Sequence, residues 1–502
     1  MCGDSRIIKN YMCERMSSWV STNSEADPPR ACDRCHAIKE RCEWVANQSQ
    51  CERCLRLQHV CETVRPKGRA GRKPGVQGKQ LFLGAHSSRT KRRGRVHDQR
   101  PLSVWADFQK KHGSGHLATI PKYLSGFELG HVPESDQRLV RHFLFDDRLF
   151  NMFSVGSSFS EQARGQIIPH LLSSKPTFLD GLLACAISWA GAIGYHQVNA
   201  HHLTACYRYA SSAIAMLTSL KVSDFRTMVD CLMLGALVST FAVKLRLPDI
   251  LAICSRTLGL IEPIYAVSNP AQVEFRGFLC CVITWELRAC LFSCTMPTLR
   301  FRPPLEAYAD RHAGLSATLL PLLYDICKLS HTVALDETRR TDILEELGVV
   351  EKSVRHWQPP VPEDLATRFD TIEVAHMLCH AQVMQKAALL VIHRLRCPFG
   401  VNDGPAQVLS MSILSQIEMT STVTKQPVRG IDIALMAACI ELRGSERRRW
   451  HSNIPTFSGY SPEFGQHVQN VLSSYWVLID TFDTISWDSL VSSGAPFLRN
   501  ST

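Results

Sequence analysis

With 502 residues, 45% of them hydrophobic, the chain has length for about three ordinary domains or for one large helical domain with a sizeable core. The formal charge of +10 is unevenly placed: residues 30 to 100 hold 18 Lys and Arg against 6 Asp and Glu, while residues 101 to 502 hold 35 against 36. So concentrated a basic excess points to a polyanion, nucleic acid first, and Asp4, Glu14, Glu25 and Asp27 break any basic-then-apolar progression, so export by a secretory signal is not expected.

Residues 1–29 read as a disordered N-terminal arm. Next come "CDRCHAIKERC" and, after eight residues, "CERCLRLQHVC". Together they place Cys32, Cys35, Cys42, Cys51, Cys54 and Cys61 as C-x2-C-x6-C-x8-C-x2-C-x6-C. In a reducing compartment such regular spacing means metal more often than disulfides. A tetrahedral Zn2+ takes four ligands, so six thiolates serve two ions if two of them bridge. Each half of the repeat then wraps one ion and lends a sulfur to its neighbour. The zinc also staples a segment of residues 30–63 that is too short to bury enough apolar surface alone.

These six positions and their spacings resemble the fungal binuclear zinc cluster (Zn2Cys6) transcription factors. The resemblance implies that Cys32 and Cys51 bridge the two Zn2+ ions and that the helix after Cys32 enters a major groove. "KERC" matches the family's Lys-x-Lys/Arg-Cys, which implies Lys39 as the base reader and Arg41 as a phosphate contact on double-stranded DNA, at CGG-like triplet sites. Arg34, Arg53 and Arg56 join them in neutralising phosphates and the charge of the cluster. The chain departs from the family at His36 and Ile38, where basic residues are usual, and in the loop "EWVANQSQ", which has no proline.

Residues 64–133 read as a flexible basic linker. Pro66, Gly68, Gly71, Pro74, Gly75, Gly78 and Gly84 allow no useful helix, and no a/d heptads follow Glu62, so the family's usual coiled-coil dimer is not expected. Either one short site is read with help from the arm, or a homodimer forms through the helical domain. Arg69, Arg72 and Lys73 lie in "GRAGRKPG", suited to electrostatic tethering along phosphates. Arg89, Lys91, Arg92, Arg93 and Arg95 form the dense "RTKRRGR" of a nuclear import signal.

From 134 to 490 the pattern becomes helical. "ESDQRLVRHFLFDDRLFNMF" offers Ser135 as an N-cap before Leu139, Phe143 and Phe150, and Leu203, Tyr207, Ala210, Ile214 and Leu217 repeat by 4, 3, 4 and 3. Strand-like alternation is scarce, so this is a large all-α domain. Its longest uncharged run, Gly181 to Tyr207, is apolar only to about Tyr195 and holds three glycines, a buried core helix rather than a membrane span. The region resembles the family's middle homology domain, with "ITWELRACLFSCTMPTL" as its helix-then-proline segment. That likeness implies a regulatory role.

"HMLCH" sets His376 and His380 four apart with Cys379 between them, but without the glutamate of a zinc protease helix it reads as ordinary histidines, packed or solvated on a helix. G-x-S-x-G, P-loop and strand-linked G-x-G-x-x-G motifs are absent, so an enzyme is not expected. The twelve cysteines from Cys185 to Cys439 have no metal spacing and read as small core hydrophobes. Near the end, "YWVLIDTFDTISWDSL" mixes aromatics with aspartates, which suits either a segment that folds onto transcription coactivators or a last amphipathic helix docked on the domain. Residues 491–502 are a short tail.

The reading is a nuclear transcription factor of RNA polymerase II genes, an activator with no membrane partner. The resemblance extends it to a pathway-specific regulator of a secondary-metabolite gene cluster. The alternative is a zinc-stabilised α-helical interaction or ligand-sensing protein that does not read DNA.

Overall fold

A computed structural model describes Cys35, Cys51, Cys54, Arg56 and Leu57, and residues 133–494 except 147–153, 174–175, 191–199, 246–249, 269–274, 336–339 and 458–461. The cysteines and the residues from 133 onward fall in separate compact units. The second unit is helical throughout: among the described residues it has no strand, only the isolated bridges Asp310–Gly314 and Phe399–Ile485.

The unit opens with α1 (Glu134–Phe145), whose first turn carries Glu134 and Asp136 where the helix dipole favours acid. The expected Ser135 cap is corrected by one turn geometry: Pro133 is the N-cap residue, no side chain caps the helix, and the Pro133 carbonyl accepts from the N–H groups of Asp136 and Gln137 at 2.9 and 3.0 Å. Leu139 and Phe143 are buried as the spacing requires, while Phe150 lies outside the described residues. After α2 (Ser160–Ser173) come α3 (Pro176–Trp189), α4 (Ala200–Ser219), α5 (Phe225–Leu245), α6 (Ile250–Val267) and α7 (Arg276–Leu291). α3 packs on α4 and α5, α5 on α6, and α6 on α7. Ala210, Ile214 and Leu217 of α4 are buried and Tyr207 is half-buried, the stripe expected from their spacing. Asp136 of α1 is buried against α4, where Oδ2 accepts from the Tyr209 hydroxyl at 2.6 Å.

The start of α5 is written into "SDFRT": Asp224 Oδ1 accepts from Thr227 N at 2.8 Å, and Thr227 Oγ1 accepts from Asp224 N at 3.1 Å. Such reciprocal caps satisfy two donors that would otherwise be orphaned. Close approach of α5 and α6 requires Gly235, because a Cβ there would stand 2.4 Å from the Thr257 side chain. α5 and α6 are long and apolar enough to cross a membrane, yet α5 is a core helix, with thirteen buried residues among its twenty-one, so its composition is what packing demands. Of the uncharged run from Gly181 to Tyr207, residues 181–189 fall in α3, a 14-residue helix, and are mostly buried; residues 191–199 lie outside the described residues and 200–207 open α4.

The chain continues through α8 (Leu320–Leu335), α9 (Arg340–His356), the single turn α10 (Leu365–Arg368), α11 (Thr371–Arg396), α12 (Asp403–Thr424), α13 (Asp432–Ile440), α14 (Gly444–Phe457), α15 (Pro462–Thr481) and α16 (Trp487–Gly494). α11 is the axis of this half, packed by α9, α12 and α13. A capping box begins it: Asp370 Oδ1 accepts from Glu373 N at 2.7 Å and Glu373 Oε2 from Asp370 N at 3.3 Å. The same buried Glu373 carboxylate accepts from Ser157 Oγ and from Ser158 N and Oγ, tying the 3-10 turn Ser157–Phe159 to α11. At the other end Arg394 is fully buried, bidentate to Glu441 at 2.7 and 2.5 Å and 2.9 Å from Asp403, so one guanidinium joins α11, α12 and the end of α13. Removing one partner of such a buried pair typically costs about 3–5 kcal/mol, since the other charge stays desolvated.

Candidate functional site

Cys35 comes from the first half of the repeat, Cys51 and Cys54 from the second, and all three are buried cysteines whose sulfurs lie within 4.8 Å of one another. The Cys35 and Cys51 sulfurs are 3.8 Å apart. Two sulfurs bound to one tetrahedral zinc, each at about 2.3 Å, are separated by about 3.8 Å, whereas a disulfide needs about 2.05 Å. The donor set therefore fits a thiophilic metal, and it joins the two halves of the repeat as sharing a ligand would require. Arg56, two residues past Cys54, is exposed, where a cation can meet a polyanion.

In the helical unit, "ITWELRACLFSCTMPTL" forms the end of α7 and the turn beyond it. The Glu286 carboxylate is fully buried and pins that turn back onto its own helix, accepting from Ser255 Oγ of α6 at 2.8 Å and from Thr298 N at 3.1 Å. Burial pushes its pKa up, against the pull of those donors. One turn on, the Arg288 guanidinium lies 3.9 Å from the centre of the Trp285 ring and 5.4 Å from that of Phe464, with Asp432 at 3.8 Å. Trp285 and Arg288 line a small cavity with His312, Arg429 and Asp432. A second, apolar cavity shares Ser154, Cys281 and His312 with it and has Arg311 on its wall.

Residues 138–498 match the fungal specific transcription factor domain. The chain belongs to that family. No curated protein and no solved structure matches it. The domain match makes this a transcription regulator of the fungal type, and it supports the middle homology domain expected from the sequence.

Within the fungal transcription factor domain the histidines of "HMLCH" take the first of the two settings expected of them: they are packed and not solvated. His380 is buried with Nδ1 2.9 Å from Ser316 Oγ and Nε2 3.1 Å from the Gly430 carbonyl, and His376 Nε2 is 2.9 Å from Thr424 Oγ1. Eleven of the twelve later cysteines are buried and Cys397 is half-buried. Burial raises thiols such as Cys206, Cys231 and Cys281 to about 12, which leaves them protonated and inert. The C-terminal aromatics resolve to the docked helix: Tyr475, Trp476 and Trp487 are buried, and the two indoles donate to the Cys439 and Leu291 carbonyls at 2.9 and 3.2 Å. Phe482 alone of that set is exposed, at 52%.

Of the residues singled out for metal and DNA, Cys32, Cys42, Cys61, Arg34, Lys39, Arg41, Arg53, Arg69, Arg72 and Lys73 lie outside the described residues, as do Arg89, Lys91, Arg92, Arg93 and Arg95. Sequence reading passed over Arg311 and His312. Nothing in "ADRHAG" marks them, because only tertiary packing brings α1, α2, α5 and α7 around that turn.

Proposed function

We propose that the chain is a nuclear, sequence-specific DNA-binding regulator of transcription by RNA polymerase II, and not an enzyme. The observation that carries this reading is the fungal specific transcription factor domain across residues 138–498. The gathered thiols of Cys35, Cys51 and Cys54 support its DNA-binding part. In this reading Cys32, Cys35, Cys42, Cys51, Cys54 and Cys61 hold two Zn2+, with Cys32 and Cys51 bridging. Six thiolates and two divalent ions leave an excess of two negative charges, which Arg34, Lys39, Arg41, Arg53 and Arg56 offset.

Lys39 presents its ammonium to the acceptor edge of guanine in a CGG-like triplet, Arg41, Arg34, Arg53 and Arg56 grip phosphates, and Arg69, Arg72 and Lys73 extend the grip along the duplex. Arg89, Lys91, Arg92, Arg93 and Arg95 carry the protein into the nucleus. The helical domain regulates the DNA-binding end, meets coactivators and offers the surface for a homodimer. The protein acts as an activator, specific to one pathway encoded by a secondary-metabolite gene cluster.

The test is fluorescence anisotropy of the full chain on a CGG duplex and on a scrambled duplex of equal length. Lys39→Ala should cost about 1–3 kcal/mol on the CGG site and much less on the scrambled one. A zinc chelator should abolish both. Equal losses on the two duplexes would remove Lys39 from base reading, and absence of binding to either would favour an interaction protein.

A further inference from the structure

Arg311 sits in the turn before the 3-10 segment Ala317–Leu319 and is 7% exposed. Its Nε meets His312 Nε2 at 3.2 Å, its Nη1 meets Gln166 Oε1 at 3.3 Å, and its guanidinium lies 4.1 Å from the centre of the Phe278 ring. None of these partners is a carboxylate. Neighbouring Asp310 commits Oδ1 to the N–H groups of His312 and Ala313, at 2.8 and 2.9 Å. A guanidinium has five N–H donors in a planar fork, and here Nη2 meets no acceptor among the described residues. Arg394, a more deeply buried arginine, shows the contrast, since Glu441 and Asp403 answer its charge at hydrogen-bond distance.

The fork lies on the wall of a cavity of about 80 Å³. At about 10–15 Å³ per water, that is room for roughly six water-sized groups. Away from Arg311 and His312 the walls are mostly apolar, with Phe143, Phe159, Ile167 and Phe278, alongside the hydroxyl residues Ser154, Ser160 and Thr240. The α7 backbone is bare where the guanidinium crosses it: a Cβ on Gly277 would stand 2.5 Å from Arg311 Nε. Burial and the Arg311 charge hold the His312 pKa well below its ordinary value, so the ring stays neutral and accepts from Arg311.

We propose that this cavity binds a small monocarboxylate with an apolar tail, its carboxylate on the Arg311 fork and its tail against Phe143, Phe159 and Phe278. A planar acceptor pair matches the fork, and one negative charge matches the single cation on a mostly apolar wall. The site lies wholly within the helical domain, so its test needs no DNA and stands or falls apart from the zinc-cluster reading.

The test is calorimetric titration of the full chain with acetate, isovalerate and benzoate, and with isovaleramide and benzamide as neutral isosteres. A tailed acid should bind saturably with one site, at least about tenfold tighter than its own amide. Arg311→Met should weaken that acid at least about tenfold, read below the Tm of the variant, since the buried Asp310 carboxylate loses the favourable field of the guanidinium beside it. Ala236→Leu, which fills the cavity and leaves Arg311 in place, should abolish binding of isovalerate and benzoate. If no acid binds, if amide and acid bind alike, or if Arg311→Met keeps its affinity, the proposal is wrong. Should that variant not fold, Ala236→Leu decides, since retained binding there places the acid elsewhere.

Discussion

His380 shows how a buried polar side chain makes the stability of the helical domain depend on pH. Burial holds its pKa down to about 4, and the opposing pull of the Gly430 carbonyl is outweighed. In the unfolded chain a histidine titrates near 6.5. Between the two values the unfolded state binds a proton that the folded state refuses, so stability is full above about pH 6.5 and falls as pH drops toward 4, by on the order of 3 kcal/mol for this residue alone. His312 and His376 are depressed by burial as well and steepen the same slope. Urea melts from pH 7 to pH 4.5 should therefore show a falling midpoint, with a shallower fall in His380→Gln. A slope unchanged by that substitution would assign the effect to the other two.

At the scale of elements, the last helix decides between two uses of one aromatic segment. Trp487 of α16 is buried between Phe399 and Phe292, at ring separations of 6.4 and 5.8 Å, and bonds the end of α7 through the Leu291 carbonyl. Trp487→Ala should cost about 3–5 kcal/mol of domain stability, read by chemical denaturation. Loss of reporter activation with no loss of stability would instead mark an exposed activation segment. The docked helix, like α4, was legible because apolar residues recur at helical spacing, which is a property of the local chain. The cap of α1 was misread at Ser135 because Pro133 also starts a helix well, its fixed φ suiting the position and its carbonyl closing the first turn. What the sequence hid are the polar groups whose partners lie far along the chain: Glu373 with Ser157 and Ser158, Glu286 with Ser255, and Arg394 with Glu441. Arg311 is the limiting case, because among the described residues its fork hydrogen-bonds a histidine and a glutamine and no carboxylate. At the thiols the opposite holds: the repeat put six donors in register on paper, and the described three do gather.

Across the whole molecule, charge and core are segregated. Residues 101 to 502, with 35 basic against 36 acidic residues, add almost nothing to the net charge, and the described ion pairs from Glu134 onward show many of those charges answering each other within the helical domain. The excess over residues 30 to 100, 18 Lys and Arg against 6 Asp and Glu, is what DNA phosphates would meet. DNA affinity should then fall linearly in log Kobs against log salt, with a slope set by that segment alone. If Arg69, Arg72 and Lys73 each neutralise a phosphate, replacing all three by Ala should make the slope shallower by about 2.7, from about 0.9 per contact on B-DNA. The loss should be equal on CGG and scrambled duplexes, because phosphate contacts carry no base information. Anisotropy titrations between 50 and 200 mM salt would read the slope directly. A loss larger on the CGG duplex would move these residues from tethering into base or groove reading, and an unchanged slope would leave the grip to the cations around the cysteines.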